Sequence, residues 1–85
     1  MTDEDLPALP GFRELAERRR EVVADLVAQR QRLGLSQSEV ASRMGTSQPA
    51  VARLEAGGVD VRLSTLERYA AAVGRQLHVR LEGRS

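Results

Sequence analysis

A chain of 85 residues has room for one small domain, whose core alone gives marginal stability, so a dimer would help it. The absence of cysteine excludes disulfides and thiolate zinc sites; no apolar run approaches the roughly 20 residues that span a bilayer, and the acidic start is wrong for a signal peptide, so a reducing cytoplasm is expected. All 13 basic residues are arginine, and the net charge of +1 rises to +4 once the N-terminal Asp3, Glu4 and Asp5 are set aside, a modest basic bias.

Residues 1–10, with Pro7 and Pro10 beside the acidic cluster, read as a disordered or extended lead-in. From Gly11 the pattern turns helical. Phe12, Leu15, Ala16, Val22, Val23, Leu26, Val27 and Leu33 recur near helical spacing, and Gly34 ends the run. The stretch Arg18-Arg19-Arg20 interrupts the stripe, so one long helix or two abutting helices both fit. With Glu14, Glu17 and Glu21 as neighbours, those arginines read first as a solvated face, and second as a patch turned to phosphate or to a partner.

Ser36 and Glu39 form a capping box, which starts a helix at Gln37. Val40, Ala41 and Met44 give it one apolar face, and Gly45 stops it. Thr46 and Ser47 can cap the next helix, where Pro49 falls in the first turn and its missing N–H costs nothing. Val51 and Leu54 turn inward, leaving Gln48, Pro49, Ala52 and Arg53 outside. Gly57 and Gly58 end that helix and residues 59–62 form a loop. Ser64 with Glu67 predicts another capping box, and Leu63, Leu66, Tyr69, Ala70 and Val73 predict the inner face of a last helix closed by Gly74.

Residues 76–82 alternate polar and apolar, a strand pattern. An isolated strand is not stable, so pairing with the same strand of a second chain is expected, through Leu77, Val79 and Leu81. His78, the single histidine, reads as an outward strand residue. The sequence offers no nucleophile motif, phosphate loop or metal cluster, so no enzyme activity, cofactor or metal is expected.

An exposed helix face with Gln48 and Arg53 carries the side chains that pair bidentately with adenine and guanine edges in a major groove, and Pro49 and Ala52 supply apolar contact. Two short helices joined by a tight turn, the second carrying such a face, is the helix-turn-helix arrangement. The phrases "GLSQSEVASRMGTSQPAVARLEAG" and "LSTLERYAAAVG" resemble the Cro/C1-type (XRE) helix-turn-helix family over about residues 22–74. The resemblance implies an all-α domain over 22–75 and leaves an N-terminal tail and helical extension over 1–21; the strand expected within 76–85 departs from the family pattern, since many relatives carry a fifth helix there. The resemblance also implies DNA phosphate contacts by Gln37, Ser47 and Arg62, and an ion pair of Arg30 with Glu55 that locks the recognition helix to the first helix.

The expected function is therefore sequence-specific binding of double-stranded operator DNA by a homodimeric regulator, a repressor. The extension, helix-turn-helix and terminal strand together are similar to HigA-type antitoxins, which implies a cognate toxin contacting residues 1–21. The alternative is an interaction subunit that chiefly binds a cytoplasmic protein. Phe12 and Leu15 could equally pack on the domain or its dimer. No membrane association is expected.

Overall fold

The computed structural model describes residues 12–57 and 60–78, with side chains from Ala16 onward. Four helices follow in order: α1 Phe12–Arg32, α2 Gln37–Met44, α3 Gln48–Glu55 and α4 Leu63–Ala72. α1 is one continuous helix. Arginine is a good helix former, so the Arg18-Arg19-Arg20 run breaks the apolar stripe without breaking the backbone. The lead-in 1–10 and the side chains of Phe12 and Leu15 lie outside the described residues.

α2 opens as the sequence dictates. The Ser36 hydroxyl accepts from the Glu39 backbone N–H at 3.0 Å, and the Glu39 carboxylate accepts from the Ser36 N–H at 2.9 Å. Two otherwise orphaned donors are satisfied reciprocally. Gly45 takes φ +73, the left-handed conformation that lets the chain reverse into α3, and the Thr46 N–H closes on the Ala41 carbonyl at 2.9 Å. Ser47 then caps α3, its hydroxyl accepting from the Ala50 N–H at 3.3 Å.

α4 departs from expectation. Its N-cap is Arg62, which makes no side-chain cap hydrogen bond, so the predicted Ser64–Glu67 capping box does not form. The Arg62 carbonyl accepts from the Thr65 and Leu66 N–H groups at 3.0 and 3.1 Å, so the helix starts two residues early and Ser64 falls inside its first turn. That early start also places Leu63 at the rim, about half exposed rather than in the core; Leu33, just past the end of α1, is likewise exposed.

The core gathers one face from each helix: Val23 and Leu26 of α1, Val40, Ala41 and Met44 of α2, Val51 and Leu54 of α3, and Leu66, Tyr69 and Ala70 of α4, closed by Val73. Tyr69, Val40, Val51 and Val73 are the large side chains wholly shut off from solvent. α3 packs against α2 and α1, and α4 packs against both of those, so α3 is held on its inner face. Among the described residues there is no strand. Arg75 to His78 run without regular structure, and Leu77 is half-buried against this chain's own core. A single chain offers that segment no sheet edge to pair with. Gly58, Val59 and the rest of the expected strand, with Val79 and Leu81, lie outside the described residues.

Among the described residues no helix is long and apolar enough to cross a membrane, and no group of acidic or histidine side chains is placed to hold a metal ion.

Candidate nucleic-acid interface

α3 is eight residues long, and its two faces separate cleanly. Val51 and Leu54 are buried, while Gln48, Pro49 and Arg53 are exposed and Ala52 is half-exposed. Residues at i, i+1, i+4 and i+5 share one side of a helix, so these four form a single surface. Neither Arg53 nor Arg62 has an acidic partner among the described residues, and Arg62 stands exposed at the start of α4. Ser47 spends its acceptor on the cap and keeps its O–H to donate.

Behind that surface lies a polar cluster centred on Glu55, the last residue of α3. Arg30 donates from Nε to Glu55 Oε2 at 2.7 Å and from Nη2 to Oε1 at 2.9 Å. The Tyr69 hydroxyl donates to Oε2 at 2.6 Å, and Gln37 Nε2 donates to Oε1 at 2.9 Å. Each carboxylate oxygen thus accepts two hydrogen bonds, the full capacity of an ionised carboxylate. A further Arg30 nitrogen, Nη1, donates to the Leu35 carbonyl at 2.9 Å, tying the α1–α2 turn to the same arginine.

The electrostatics follow from this packing. Burial pushes the Glu55 carboxyl up, but the hydrogen bonds from Arg30, Tyr69 and Gln37, with the Arg30 charge, together hold it below its ordinary value. The hydrogen bond to Glu55 raises Arg30 against the opposing effect of burial. Burial, then the hydrogen bond to Glu55, raises Tyr69. The cluster is therefore an ionised pair with a neutral phenol.

The cluster reaches the surface through Gln37. An ionised carboxylate only accepts, so the Gln37 amide must turn its nitrogen toward Glu55 and its oxygen outward. Gln48 Nε2 donates to that oxygen at 2.7 Å. Gln48 is left with one N–H and its own Oε1, a donor beside an acceptor. That is the complement of the adenine N7 and N6 edge.

The family resemblance marks Gln37 as a phosphate-holding position. The structure places it between Glu55 and Gln48, where it engages the surface glutamine as well. Tyr69 was legible as a core residue only. The signal that could have found its second role is that a buried tyrosine hydroxyl needs a partner. Two other tethers were not legible: Arg43 Nη1 donates to the Ala72 carbonyl at 2.9 Å, and Gln29 Nε2 to the Val73 carbonyl at 3.3 Å, so α1 and α2 both grip the C-terminal end of α4.

A helix-turn-helix family model matches residues 26–79. Antitoxin HigA1 of Mycobacterium tuberculosis, strains H37Rv and CDC 1551, is 46% identical over 76 residues, which is 89% of this chain and 51% of the antitoxin. An uncharacterized HTH-type transcriptional regulator of Haemophilus influenzae is 34% identical over 58 residues, 68% of this chain and 59% of that protein. The chain thus spans about half the length of the curated antitoxins it matches. No solved structure matches it significantly. With α2, the Gly45 turn and α3 built as the motif requires, and with the family model extending from α1 through α4, the chain belongs to the Cro/C1-type helix-turn-helix family.

Proposed function

We propose that this chain is a sequence-specific DNA-binding transcriptional regulator, a repressor that binds its operator in the cytoplasm as a homodimer. The observation that carries the reading is the outer face of α3, where Gln48 stands exposed with its amide anchored from behind by Gln37. A base-reading side chain already held in one orientation loses less freedom on binding. In this reading Gln48 and Arg53 contact base edges, and Pro49 and Ala52 contact the groove's apolar surface. Gln37, Ser47 and Arg62 hold phosphates. Gln37 retains a second amide N–H for that purpose. Leu77, Val79 and Leu81 pair two chains, and the two α3 helices enter half-sites about one helical turn, near 34–36 Å, apart.

Selection of bound duplexes from a random pool tests this directly. The expected result is one near-palindromic site whose preference Arg53→Ala relaxes at one base pair, at a cost of about 1–3 kcal/mol. Unchanged binding by the doubly substituted Gln48→Ala, Arg53→Ala protein would remove the assignment.

A second reading extends the first. Identity of 46% across 89% of the chain to a protein named as an antitoxin supports an antitoxin role here, with a toxin contacting residues 1–21. Co-purification with the product of the adjacent gene tests it. Capture of a partner by a protein that selects no duplex would favour the alternative, an interaction subunit.

A further inference from the structure

We propose that Tyr69, buried in α4 away from the reading surface, is a positioning residue for base recognition: through Glu55 and Gln37 it holds the Gln48 amide in register with a base edge. The proposal rests on the reading of Gln48 given above and deepens it.

The hydrogen bonds run in one direction. Tyr69 donates to Glu55 at 2.6 Å, Gln37 donates to Glu55 at 2.9 Å, and Gln48 donates to Gln37 at 2.7 Å. A glutamine amide is nearly symmetric in shape, and a half-turn about its last bond exchanges donor for acceptor. Nothing intrinsic to Gln48 selects one orientation. Selection enters at Glu55, the one acceptor-only group in the chain of contacts, and passes outward through Gln37. A flipped Gln48 would present its donor where adenine carries its own donor.

Glu55 imposes this order only while its carboxylate is ionised and held in one plane. Arg30 supplies a two-point fork, about which the carboxylate can still rock. Tyr69 supplies the contact from the core side, on the oxygen opposite the one Gln37 uses. Its ring is wholly buried among the core side chains, so the hydroxyl is a fixed donor rather than a rotating one. Three helices therefore converge on the end of the fourth, and α4 is the one that sets the carboxylate from behind. Without the phenol, Oε2 has a vacant acceptor site and the carboxylate can rock about the Arg30 fork, carrying Gln37, and with it the Gln48 amide, out of register with the base edge.

The experiment uses the full chain and the duplex that wild-type protein selects from a random pool, with each base pair varied singly. Wild-type protein should prefer A·T at the pair assigned to Gln48 by roughly 5- to 150-fold, the discrimination a bidentate contact supplies. Gln48→Ala should abolish that preference. Tyr69→Phe, which keeps the ring and the packing, should bring the ratio to within about threefold of the Gln48→Ala value while leaving preferences at other pairs unchanged. Glu55→Gln, whose amide can donate as well as accept, should do the same. In the DNA-free protein, the side-chain amide proton resonances of Gln37 and Gln48 should move in Tyr69→Phe. If Gln48→Ala changes no preference, the base reading fails and the proposal with it. If Gln48→Ala is selective but Tyr69→Phe keeps the wild-type ratio, or weakens every duplex alike, Tyr69 is a packing residue and the relay alone is overturned.

Discussion

Arg30 and Glu55, 25 residues apart, meet through two parallel hydrogen bonds that fasten the end of α3 to the second half of α1. Their side chains are only 13% and 8% accessible, which separates this pair from surface ion pairs of little consequence. Removing one member leaves the other charge buried without its partner. Arg30→Met should therefore destabilise the domain by about 3–5 kcal/mol, read as a lower urea midpoint at unchanged slope. Arg30→Lys cannot reproduce the fork and should fall between. A midpoint shift near zero for Arg30→Met would mean that Tyr69 and Gln37 alone satisfy the carboxylate.

Acid should weaken the domain through two carboxylates. Glu39 is held below its ordinary 4.5 by the Ser36 backbone N–H first and the Ser36 side chain second, and Glu55 is held below 4.5 by the cluster described above. For a depressed carboxyl the unfolded chain binds more protons, so stability rises with pH. Its contribution is present above 4.5 and is lost as pH falls through the lower folded value. Glu39→Gln keeps a side chain able to accept from the Ser36 N–H yet cannot titrate. The difference in urea midpoint between pH ~7 and pH ~3.5 should thus be smaller in Glu39→Gln than in wild type. On the alkaline side Tyr69 is raised above its ordinary 10.0, so stability should also decline as pH climbs past 10.

The caps give a comparison within one molecule. Ser36→Ala removes an acceptor that the Glu39 N–H uses and should cost about 1 kcal/mol, and Ser47→Ala should cost a similar amount. Ser64 carries the same sequence signature as Ser36, with a glutamate three residues on, but stands inside α4 with no capping hydrogen bond. Ser64→Ala should leave the thermal midpoint unchanged or slightly raised, because alanine is the better helix former. Equal losses for Ser36→Ala and Ser64→Ala would contradict the start of α4 at Leu63.

These caps also mark what the sequence could tell. α2, its turn and α3 were legible because each boundary is set by residues within four positions of it: Ser36 with Glu39, Gly45, and Ser47 with Pro49. The start of α4 was not, since the backbone of Arg62 can cap the first turn unaided, and local pattern does not say which of two starts packs better. The inner faces followed from helical spacing, apart from Leu33 and Leu63, which sit at element ends where periodicity no longer fixes direction. Gln48 and Arg53 were legible as an outer face. The link between Gln48, Gln37, Glu55 and Tyr69 was not, because it joins three helices and depends on side-chain direction.

Gln37→Ala now carries a different expectation from a plain phosphate contact. A phosphate contact alone would weaken every sequence equally and, because the Gln37 amide is uncharged, leave the salt slope unchanged. Because Gln37 also holds Gln48, its loss should in addition flatten preference at one base pair. Binding measured on the selected duplex and its single-pair variants separates the two. Uniform weakening alone would mean that Gln48 orients itself on the DNA.

The N-terminal half of α1 bears on how the antitoxin reading is tested. Arg19 lies 2.7 Å from Asp60, in the loop between α3 and α4, two residues before Arg62. Ala16, Arg19, Arg20 and Val23 line a shallow cleft against Gly57 and Val61 of the same loop. Deleting residues 1–21 therefore cuts through a continuous helix and removes a brace on a segment proposed to face phosphate. The Arg19–Asp60 pair is well exposed, so its own contribution should be within about 0–1 kcal/mol. A deletion that lost DNA binding could then be mistaken for loss of a DNA-contacting tail. Deleting only residues 1–10 avoids this, since α1 begins at Phe12. Paired with Arg19→Ala in the full chain, it separates the roles. If residues 1–10 belong to a toxin contact, their removal should weaken capture of the adjacent gene's product while operator affinity stays within about twofold of wild type. Arg19→Ala should do the reverse, lowering operator affinity slightly without affecting capture. Full capture and full operator binding by both variants would remove residues 1–10 from any partner contact and the Arg19–Asp60 pair from DNA binding.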